Sequence, residues 1–319
     1  MKILIIKLGA LGDVIISTSI INQIIKHHKD DEIFVLTTPA FTDLFAHFKK
    51  AKVCAFDRKG LFNAIRTIRW IRKQRFSCIY DLQSNDRTSL YCALSGSSDR
   101  AGNHPRYPYT KYPAKTYHGE CHSFERLNQI IKSANIAPAE PLPYLPVSAP
   151  VRNKVSIWMR SHKLTKNSFA IFHAGSSPSH TKKRWPYFQE LALKIHKTLD
   201  IIWVGANDDV ELNIELSNTV GINATNYFDI HGLVELGKHA RFAVTNDSAP
   251  MHILSCSQIP IFGLFGPTYP RRTHALGQLN NVISANKIIA KDDFTFKPAD
   301  ISKISLDIVL TKLAEQKLI

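Results

Sequence analysis

The sequence predicts a two-domain α/β protein built on parallel, doubly wound sheets. Its 319 residues exceed the length that folds around a single hydrophobic core in most proteins. Short β-branched runs alternate with segments of helical periodicity, a pattern typical of parallel sheets. The alternation stops at residues 135–150, which hold five prolines and predict a linker, and then restarts. We therefore expect a Rossmann-like domain over residues 1–164, linker included, and a second over 165–319.

The elements of the first half follow in chain order. Residues 2–6 (KILII) predict a strand, KLGALGD a glycine-rich turn, and the apolar positions from Val14 to Ile25 a helix. The same patterns predict further strands at 32–38, 52–56 and 77–83, and a helix over about 61–75.

After the linker the same alternation returns. Helices are predicted over about 151–163, 186–198 and 208–218 and from about 249, and strands over 169–175, 200–206, 242–246 and 259–266. In open α/β sheets ligands bind beyond the carboxyl ends of the strands. The loops that follow strands are therefore the places to look for chemistry.

Composition limits the partners and the compartment. A formal charge of +15 favours anionic partners, which include nucleic acid, acidic lipid headgroups and phosphorylated glycans. Polar residues interrupt the apolar N-terminal segment, so we expect a mature cytosolic N-terminus rather than a signal peptide. The five cysteines are scattered without CxxC spacing, which indicates reduced thiols acting as small buried hydrophobes.

The first chemical candidate is Asp13, in the loop GALGD between strand and helix. As a structural residue it is a helix N-cap or a first-turn acid favoured by the helix dipole. As a functional residue it is a carboxylate positioned as a general base. The spacing of Gly9 and Gly12 is not GxGxxG, which argues against a dinucleotide-dependent oxidoreductase.

The second candidate is HAGSSPSHTKKRWP, residues 173–186, between a strand and a helix. Gly175, Ser176 and Ser177 offer N–H and hydroxyl donors, and Lys183 lies in a cationic run, so the loop could bind phosphate oxygens. A solvated basic loop is the alternative. The spacing is not that of a Walker loop.

The third candidate is NDSAPMH, residues 246–252. Asp247 and Ser248 follow a strand, and His252 lies one turn into the next helix. A capping Asp and a core His would explain each residue singly. Three such strand-end loops together favour a binding site.

The motif HGECH suggests a metal site only weakly. His118 and His122 are spaced i, i+4, but the order HExxH is absent and no third ligand is evident. No DxD triplet is present to hold a divalent ion against a diphosphate. We therefore expect no metal.

Basic residues dominate positions 49–75, where Asp57 is the single acid. Arg66, Arg69 and Lys73 share one helical face. The run could be a solvated face or a landing site for a polyanionic acceptor. RNA is the rival ligand, but no RNA-binding signature accompanies the run, so we expect no nucleic-acid partner.

In order and spacing, the segments LGALGDVI, HAGSSPSHTKKRWP, VGANDD and VTNDSAPMH followed by FGPT resemble the heptosyltransferases of glycosyltransferase family 9. The resemblance covers nearly the whole chain. It implies a GT-B fold with an N-terminal acceptor domain, a C-terminal ADP-heptose domain, a cleft between them and a last helix, 304–318, that crosses back to the first domain.

Site residues carry over by position. The resemblance implies Asp13 as general base, and Ser176 and Lys183 as contacts to the donor diphosphate. A further set would grip the heptose and diphosphate: Asp247, Ser248, Ala249 and His252. Asp209 stands where the family usually has a Glu that binds the ribose, and Ala249 where it commonly has Gly. His122 lies in a segment, HSFERL, that favours a structural role.

The implied reaction is a single inverting displacement, in which an acceptor hydroxyl attacks the anomeric carbon as ADP leaves. No cofactor is expected, because protein cations replace a metal. The partners would be ADP-heptose, the anionic inner core of lipopolysaccharide and the cytoplasmic surface of the inner membrane. We expect the acceptor to contact Gly12, Arg58, Lys59, Arg66 and Arg100. The alternatives are another nucleotide sugar or glycan acceptor, or a non-catalytic relative.

Overall fold

The computed structural model describes residues 1–117, 121–286 and 297–319, which form two compact units, Met1–Pro146 and Val147–Ile319. The division falls within the proline-rich stretch, earlier than the expected boundary at residue 164. The cause is helix α5 (Ala149–Ser161), which packs in the second unit. Its Trp158 stacks edge-on against Phe228, with the ring centroids 5.1 Å apart.

The first unit is a parallel five-stranded sheet with the order β3-β2-β1-β4-β5. Its elements are β1 (Lys2–Ile6), α1 (Leu11–His27), β2 (Glu32–Thr37), β3 (Ala51–Ala55), α2 (Leu61–Gln74), β4 (Cys78–Asp81), α3 (Asp86–Ala93), β5 (Asp99–Ala101) and α4 (Ser123–Ser133). Ile5 of β1 pairs with Val35 of β2 on one side and with Tyr80 of β4 on the other.

β1 is buried on both faces, which explains its uninterrupted β-branched sequence. Helix α1 covers one face through a broad apolar surface that includes Val14, Ile20 and Ile24. From β1 the chain winds outward through β2 and β3, then returns to β4 on the other side. The reversal makes the carboxyl ends of β1 and β4 the switch point of this sheet.

The second unit is a parallel six-stranded sheet with the order β11-β10-β9-β6-β7-β8. After α5 its elements are β6 (Phe169–His173), α6 (Phe188–Ile195), β7 (Asp200–Trp203), α7 (Val210–Thr219), β8 (Ile222–Asn223), α8 (Ile230–Gly237), β9 (Ala243–Asn246), α9 (Ala249–Ser255), β10 (Ile261–Phe265), α10 (Pro270–Thr273), β11 (Ile283–Ser284) and α11 (Leu306–Glu315). Winding reverses between β6 and β9, so their carboxyl ends form the second switch point.

Helix α11 packs into the core of the second unit, and the crossing of 304–318 back to the first domain stays a prediction. Val309 and Leu313 are fully buried in the same core cluster as Trp185. The indole N–H of Trp185 donates to the carbonyl of Ile304 at 2.7 Å. The apolar face of α11 therefore packs against α6 and the neighbouring core.

Cys54, Cys78, Cys92 and Cys256 are free thiols, and the last three of them are buried, as the scattered spacing predicts. Burial raises the pKa of Cys78 to about 11, so this thiol is inert at neutral pH. Among the described residues no helix is long and apolar enough to cross a membrane.

Candidate active site

Asn246, the last residue of β9, holds the loop that follows β6. Its buried amide donates to the carbonyls of Ala174 and Gly175, at 2.8 and 3.0 Å. The amide oxygen accepts from the N–H of Trp185 at 3.1 Å. Both ends of the loop predicted to bind phosphate are therefore fixed to one side chain. The sequence pattern marks Asn246 only as the end of a strand.

Lys183 and Asp247 meet at the switch point of the second unit. The Lys183 ammonium donates to Oδ2 of Asp247 at 2.7 Å and to its carbonyl at 3.3 Å. The hydroxyl of Thr268 donates to the same Oδ2 at 2.7 Å. The side chain of Asp247 is 7% exposed and that of Lys183 is 19% exposed, so the cation keeps access to solvent while its partner is buried. Two predicted site residues, 64 positions apart, are thereby brought together.

Ser176 is engaged within its own loop. Its hydroxyl donates to the carbonyl of His180 at 3.0 Å and accepts from Nε of Arg184 at 3.3 Å. Arg184 also donates to the Ser176 carbonyl at 3.1 Å. The predicted diphosphate contact of Ser176 therefore competes with these bonds. Ser177 is exposed, and its hydroxyl lies 2.9 Å from Nδ1 of His180.

A buried histidine links two of the predicted donor-site residues. Nδ1 of His173 lies 3.1 Å from the hydroxyl of Ser248, and Nε2 lies 3.4 Å from Oδ2 of Asp209. His173 is 2% exposed. The sequence pattern assigns His173 no role, although this residue opens the loop motif at the end of β6. The signal available was a histidine placed at the carboxyl end of a buried strand.

The Asp209 carboxylate points inward at the base of this loop. Burial would raise its pKa, but His173, the N–H of Ala206 and Arg184 together hold the pKa below its usual value. Among the described residues, its buried Oδ1 has no hydrogen-bond partner. A Cβ at Gly175 would overlap this oxygen, which explains why the loop needs glycine there.

Ser248 and Ala249 form the start of α9. The backbone of Ser248 is extended. Its hydroxyl forms a hydrogen bond with His173 and does not cap the helix. Ala249, at the first helical position, is not among the residues with positive φ, so the turn needs no glycine. His252 follows one turn later and is buried.

In the first unit, Gly12 and Asp13 lie half-buried in the first turn of α1. Lys7, just past the end of β1, is 1% exposed. Burial lowers its pKa to about 8, opposed by the charges of Asp13 and Asp81 and reinforced by Arg126. The sequence pattern does not mark Lys7 as a site residue. Its position after a buried strand was the available signal.

Asp81, the last residue of β4, is fully buried. Its Oδ2 accepts from the hydroxyl of Tyr109 at 2.6 Å, and its Oδ1 accepts from the N–H groups of Ser84 and Gln83 at 2.8 and 3.1 Å. Burial raises the pKa of Asp81 despite these bonds. The Gln83 side chain accepts in turn from the N–H of Leu8 at 3.1 Å, joining the loops that follow β4 and β1.

The predicted acceptor cations divide into two groups. Arg58, Lys59 and Arg66 are exposed, and Nη1 of Arg58 would lie 3.6 Å from a Cβ placed on Gly9. Arg100 is instead committed to structure. Its guanidinium donates to the carbonyls of Ser97 and Pro108 and lies 5.9 Å from the centroid of the Tyr107 ring. The structure therefore shows a loop-holding role for Arg100, and its contact with the acceptor stays a prediction.

The described residues contain no cluster of three or more His, Cys, Asp or Glu side chains that could hold a metal. His118 lies outside the described residues. His122 caps α4, and its Nδ1 accepts from the N–H of Phe124 at 3.1 Å. This is the structural role that the sequence favours.

Comparison with known proteins identifies the family. The model of glycosyltransferase family 9 (heptosyltransferase) matches residues 66–297. The lipopolysaccharide heptosyltransferase 1 of Campylobacter coli is 24% identical over 340 aligned positions, which cover 95% of this chain and 98% of that protein.

Solved structures of the same family are similar over nearly the whole chain. The family 9 glycosyltransferase of Veillonella parvula DSM 2008 has a TM-score of 0.81 at 22% identity, covering 99% of this chain and 97% of the other. The ADP-heptose lipopolysaccharide heptosyltransferase II of E. coli has a TM-score of 0.74 at 19% identity, covering 99% and 98%. The predicted GT-B fold of two Rossmann-like domains is confirmed. The chain belongs to glycosyltransferase family 9, the heptosyltransferase family, and is a glycosyltransferase.

Proposed function

We propose that this enzyme transfers heptose from ADP-heptose to the inner core of lipopolysaccharide, onto a Kdo or heptose acceptor, with inversion at the anomeric carbon. The observation that carries the proposal is the cation of Lys183, held at the switch point of the second sheet by the buried carboxylate of Asp247. Such a cation suits a leaving diphosphate. The Campylobacter coli and E. coli relatives, both lipopolysaccharide heptosyltransferases, support the choice of sugar and acceptor.

In the proposed donor site, Lys183 binds the diphosphate. Ser248 and Asp247 contact the heptose and diphosphate, and His252 lies one turn behind them in α9. Asp209 is the proposed ribose ligand: its buried Oδ1 has no hydrogen-bond partner among the described residues and retains the capacity to accept from a hydroxyl. Gly175, Ser176, Ser177 and Ala249 would shape the backbone around the phosphates. Within the described residues, a purely structural role would leave this buried oxygen of Asp209 unsatisfied.

The proposed reaction is a direct displacement. The carboxylate of Asp13 removes the proton of the acceptor hydroxyl, and the resulting oxygen attacks the anomeric carbon. The bond from that carbon to the phosphate oxygen breaks, and its electron pair leaves with ADP. Lys183 stabilises the negative charge that grows on the diphosphate, a contribution of about 3 kcal/mol for one well-placed donor.

Acceptor binding is assigned to the first unit. The exposed cations Arg58, Lys59 and Arg66 would pair with phosphate and carboxylate groups of the inner core, near Gly12 and Asp13 at the carboxyl end of β1. Because this acceptor is anchored in lipid, we place the reaction at the cytoplasmic face of the inner membrane.

Calorimetric titration with ADP-heptose, ADP-glucose and UDP sugars tests the donor. We expect binding to the ADP compounds and strongest binding to ADP-heptose. Binding of a UDP sugar without binding of ADP compounds would overturn the donor assignment. Asp13→Asn should lower turnover by at least about 100-fold with donor affinity unchanged, as expected for a general base. Retention of the biological role by that variant would indicate a non-catalytic relative.

A further inference from the structure

The first turns of α2 carry large apolar side chains that face solvent. Leu61 and Phe62 are 77% and 79% exposed, and Ile65 is 40% exposed. The helix packs on the sheet through Ala64, Thr67 and Ile71 instead. Single exposed apolar residues are ordinary, but a consecutive pair with a third residue at i+4 forms a patch.

Cations flank this patch. Residues 58–75 contain no acid, and the seven basic residues among them are Arg58, Lys59, Arg66, Arg69, Arg72, Lys73 and Arg75. None of these seven forms an ion pair with an acid in the described part of the chain. Arg66 lies 5.7 Å from the centroid of the Phe56 ring, and Arg72 donates to the carbonyl of Leu94 at 3.3 Å. In the part of the chain that the structure describes, the positive charge of residues 58–75 is therefore not neutralised by ion pairs.

An apolar tip flanked by basic residues fits the surface of an anionic bilayer. Apolar side chains enter the boundary between headgroups and acyl chains, and Lys and Arg pair with the phosphates. A polyanion such as RNA would satisfy the cations but offers little to the aliphatic side chains of Leu61 and Ile65. The combination therefore favours lipid.

The patch also lies at a significant place in the fold. Because α2 follows β3, its first turn lies at the carboxyl edge of the first sheet, where Asp13 also lies. Arg58, just before the patch, lies beside Gly9 in the loop after β1. A membrane held against residues 58–66 would bring the headgroup region of a lipid to the edge that carries Asp13.

We propose that residues 58–66 dock the enzyme on anionic lipid bilayers, with Leu61 and Phe62 inserted at the interface and Arg58, Lys59 and Arg66 on the lipid phosphates. The inference deepens the membrane contact of the proposed function and rests on it for its biological purpose. Binding to a bilayer requires neither donor nor acceptor, although the proposed function assigns the same three cations to the acceptor. It can therefore be measured separately.

The test is co-sedimentation of the full chain with vesicles, without donor or acceptor. The wild type should bind phosphatidylglycerol-containing vesicles, more weakly as salt rises, and should bind pure phosphatidylcholine vesicles much less. L61S/F62S should bind the anionic vesicles at least about 10-fold more weakly. The matched control is L193S/I214S, which changes two exposed apolar side chains of the second unit, and it should bind like the wild type.

Two results would overturn the docking surface. One is that L61S/F62S binds anionic vesicles as tightly as the wild type, which would indicate a general polyanion-binding surface. Displacement of the vesicles by RNA would support that conclusion. The other is no vesicle binding by the wild type at all. Turnover of a water-soluble, delipidated acceptor separates the two proposals: L61S/F62S should retain it. If the wild type lacks this turnover but binds vesicles, the transferase proposal fails and the docking surface stands.

Discussion

The ammonium of Lys183 lies 2.7 Å from Oδ2 of Asp247, which joins the loop after β6 to the loop after β9 across the switch point of the second sheet. The same carboxylate oxygen accepts from Thr268, in the loop after β10. Three strand-end loops therefore meet on one buried carboxylate. The cation is positioned before any donor arrives, which reduces the reorganisation that leaving-group stabilisation requires.

Replacing Lys183 by Met should lower turnover by about 100-fold or more, because one preorganised donor to the leaving group is removed. Steady-state kinetics with ADP-heptose, together with calorimetric ADP affinity, provides the measurement. Lys182→Met is the matched control, since Lys182 is an exposed neighbour in the same short helical segment. Equal losses in the two variants would mean that only the net charge of the loop matters.

His173→Gln and Ser248→Ala should each weaken donor binding, and the double variant should lose less than the sum of the two. The reason is that the two side chains share one contact, and effects on one contact are not additive. A double-mutant cycle on donor affinity measures this coupling. The control pair is His173→Gln with Ser179→Ala, because the hydroxyl of Ser179 contacts the exposed His180 and not His173. The effects of these two substitutions on donor affinity should be additive. An additive result for Ser248 would argue against a positioning role for His173.

The sequence predicts the features that depend on local pattern. Strand alternation with helices predicts both sheets, and the three strand-end motifs predict that Lys183 and Asp247 belong to one site. Pattern does not reveal which side chain a loop residue contacts after folding. The sequence suggests that Arg100 is a surface cation. In the structure its guanidinium donates to the carbonyls of Ser97 and Pro108, in the surrounding loops.

The sequence also does not predict strands that are very short or features that depend on tertiary contacts. β5 spans three residues and β8 and β11 two each, which is too short for a periodic signal. The boundary between the units depends on where α5 packs, and the pairing of Trp158 with Phe228 is a contact over long sequence distance. Lys7 falls in the predicted glycine-rich turn KLGALGD, and only the fold shows that it is buried.

Tyr109→Phe should destabilise the first unit by about 1–3 kcal/mol, because the buried carboxylate of Asp81 loses the hydroxyl that donates to it. Thermal unfolding of the full chain provides the measurement. Tyr107→Phe is the control: Tyr107 is 72% exposed, and its hydroxyl donates to the carbonyl of Ala93 at 3.3 Å. A stability for Tyr109→Phe equal to that of the control would show that the amide donors of Ser84 and Gln83 are sufficient for Asp81.

Lys7 should make the stability of the folded protein depend on pH in the alkaline range. Its pKa is lowered from 10.5 to about 8 in the folded state, chiefly by burial. Between these two values the unfolded chain binds more protons at this residue than the folded chain, so the free energy of unfolding rises with pH. Below pH 8 Lys7 is protonated in both the folded and the unfolded state, so the folded protein bears the full free-energy cost of the buried charge. Between pH 8 and pH 10.5 this titration raises the free energy of unfolding by about 3 kcal/mol.

Lys7→Met removes this titration. The difference in unfolding free energy, wild type minus variant, should therefore increase by about 3 kcal/mol as pH rises from about 8 to about 10.5. Chemical denaturation of both proteins across this range provides the measurement. Lys2→Met, at the opposite end of β1, is the control, because Lys2 is only half-buried and donates to the amide oxygen of Gln74. Parallel pH profiles for the wild type and Lys7→Met would show that Lys7 keeps its charge through water or movement of its side chain, and that burial at the end of β1 does not control its protonation.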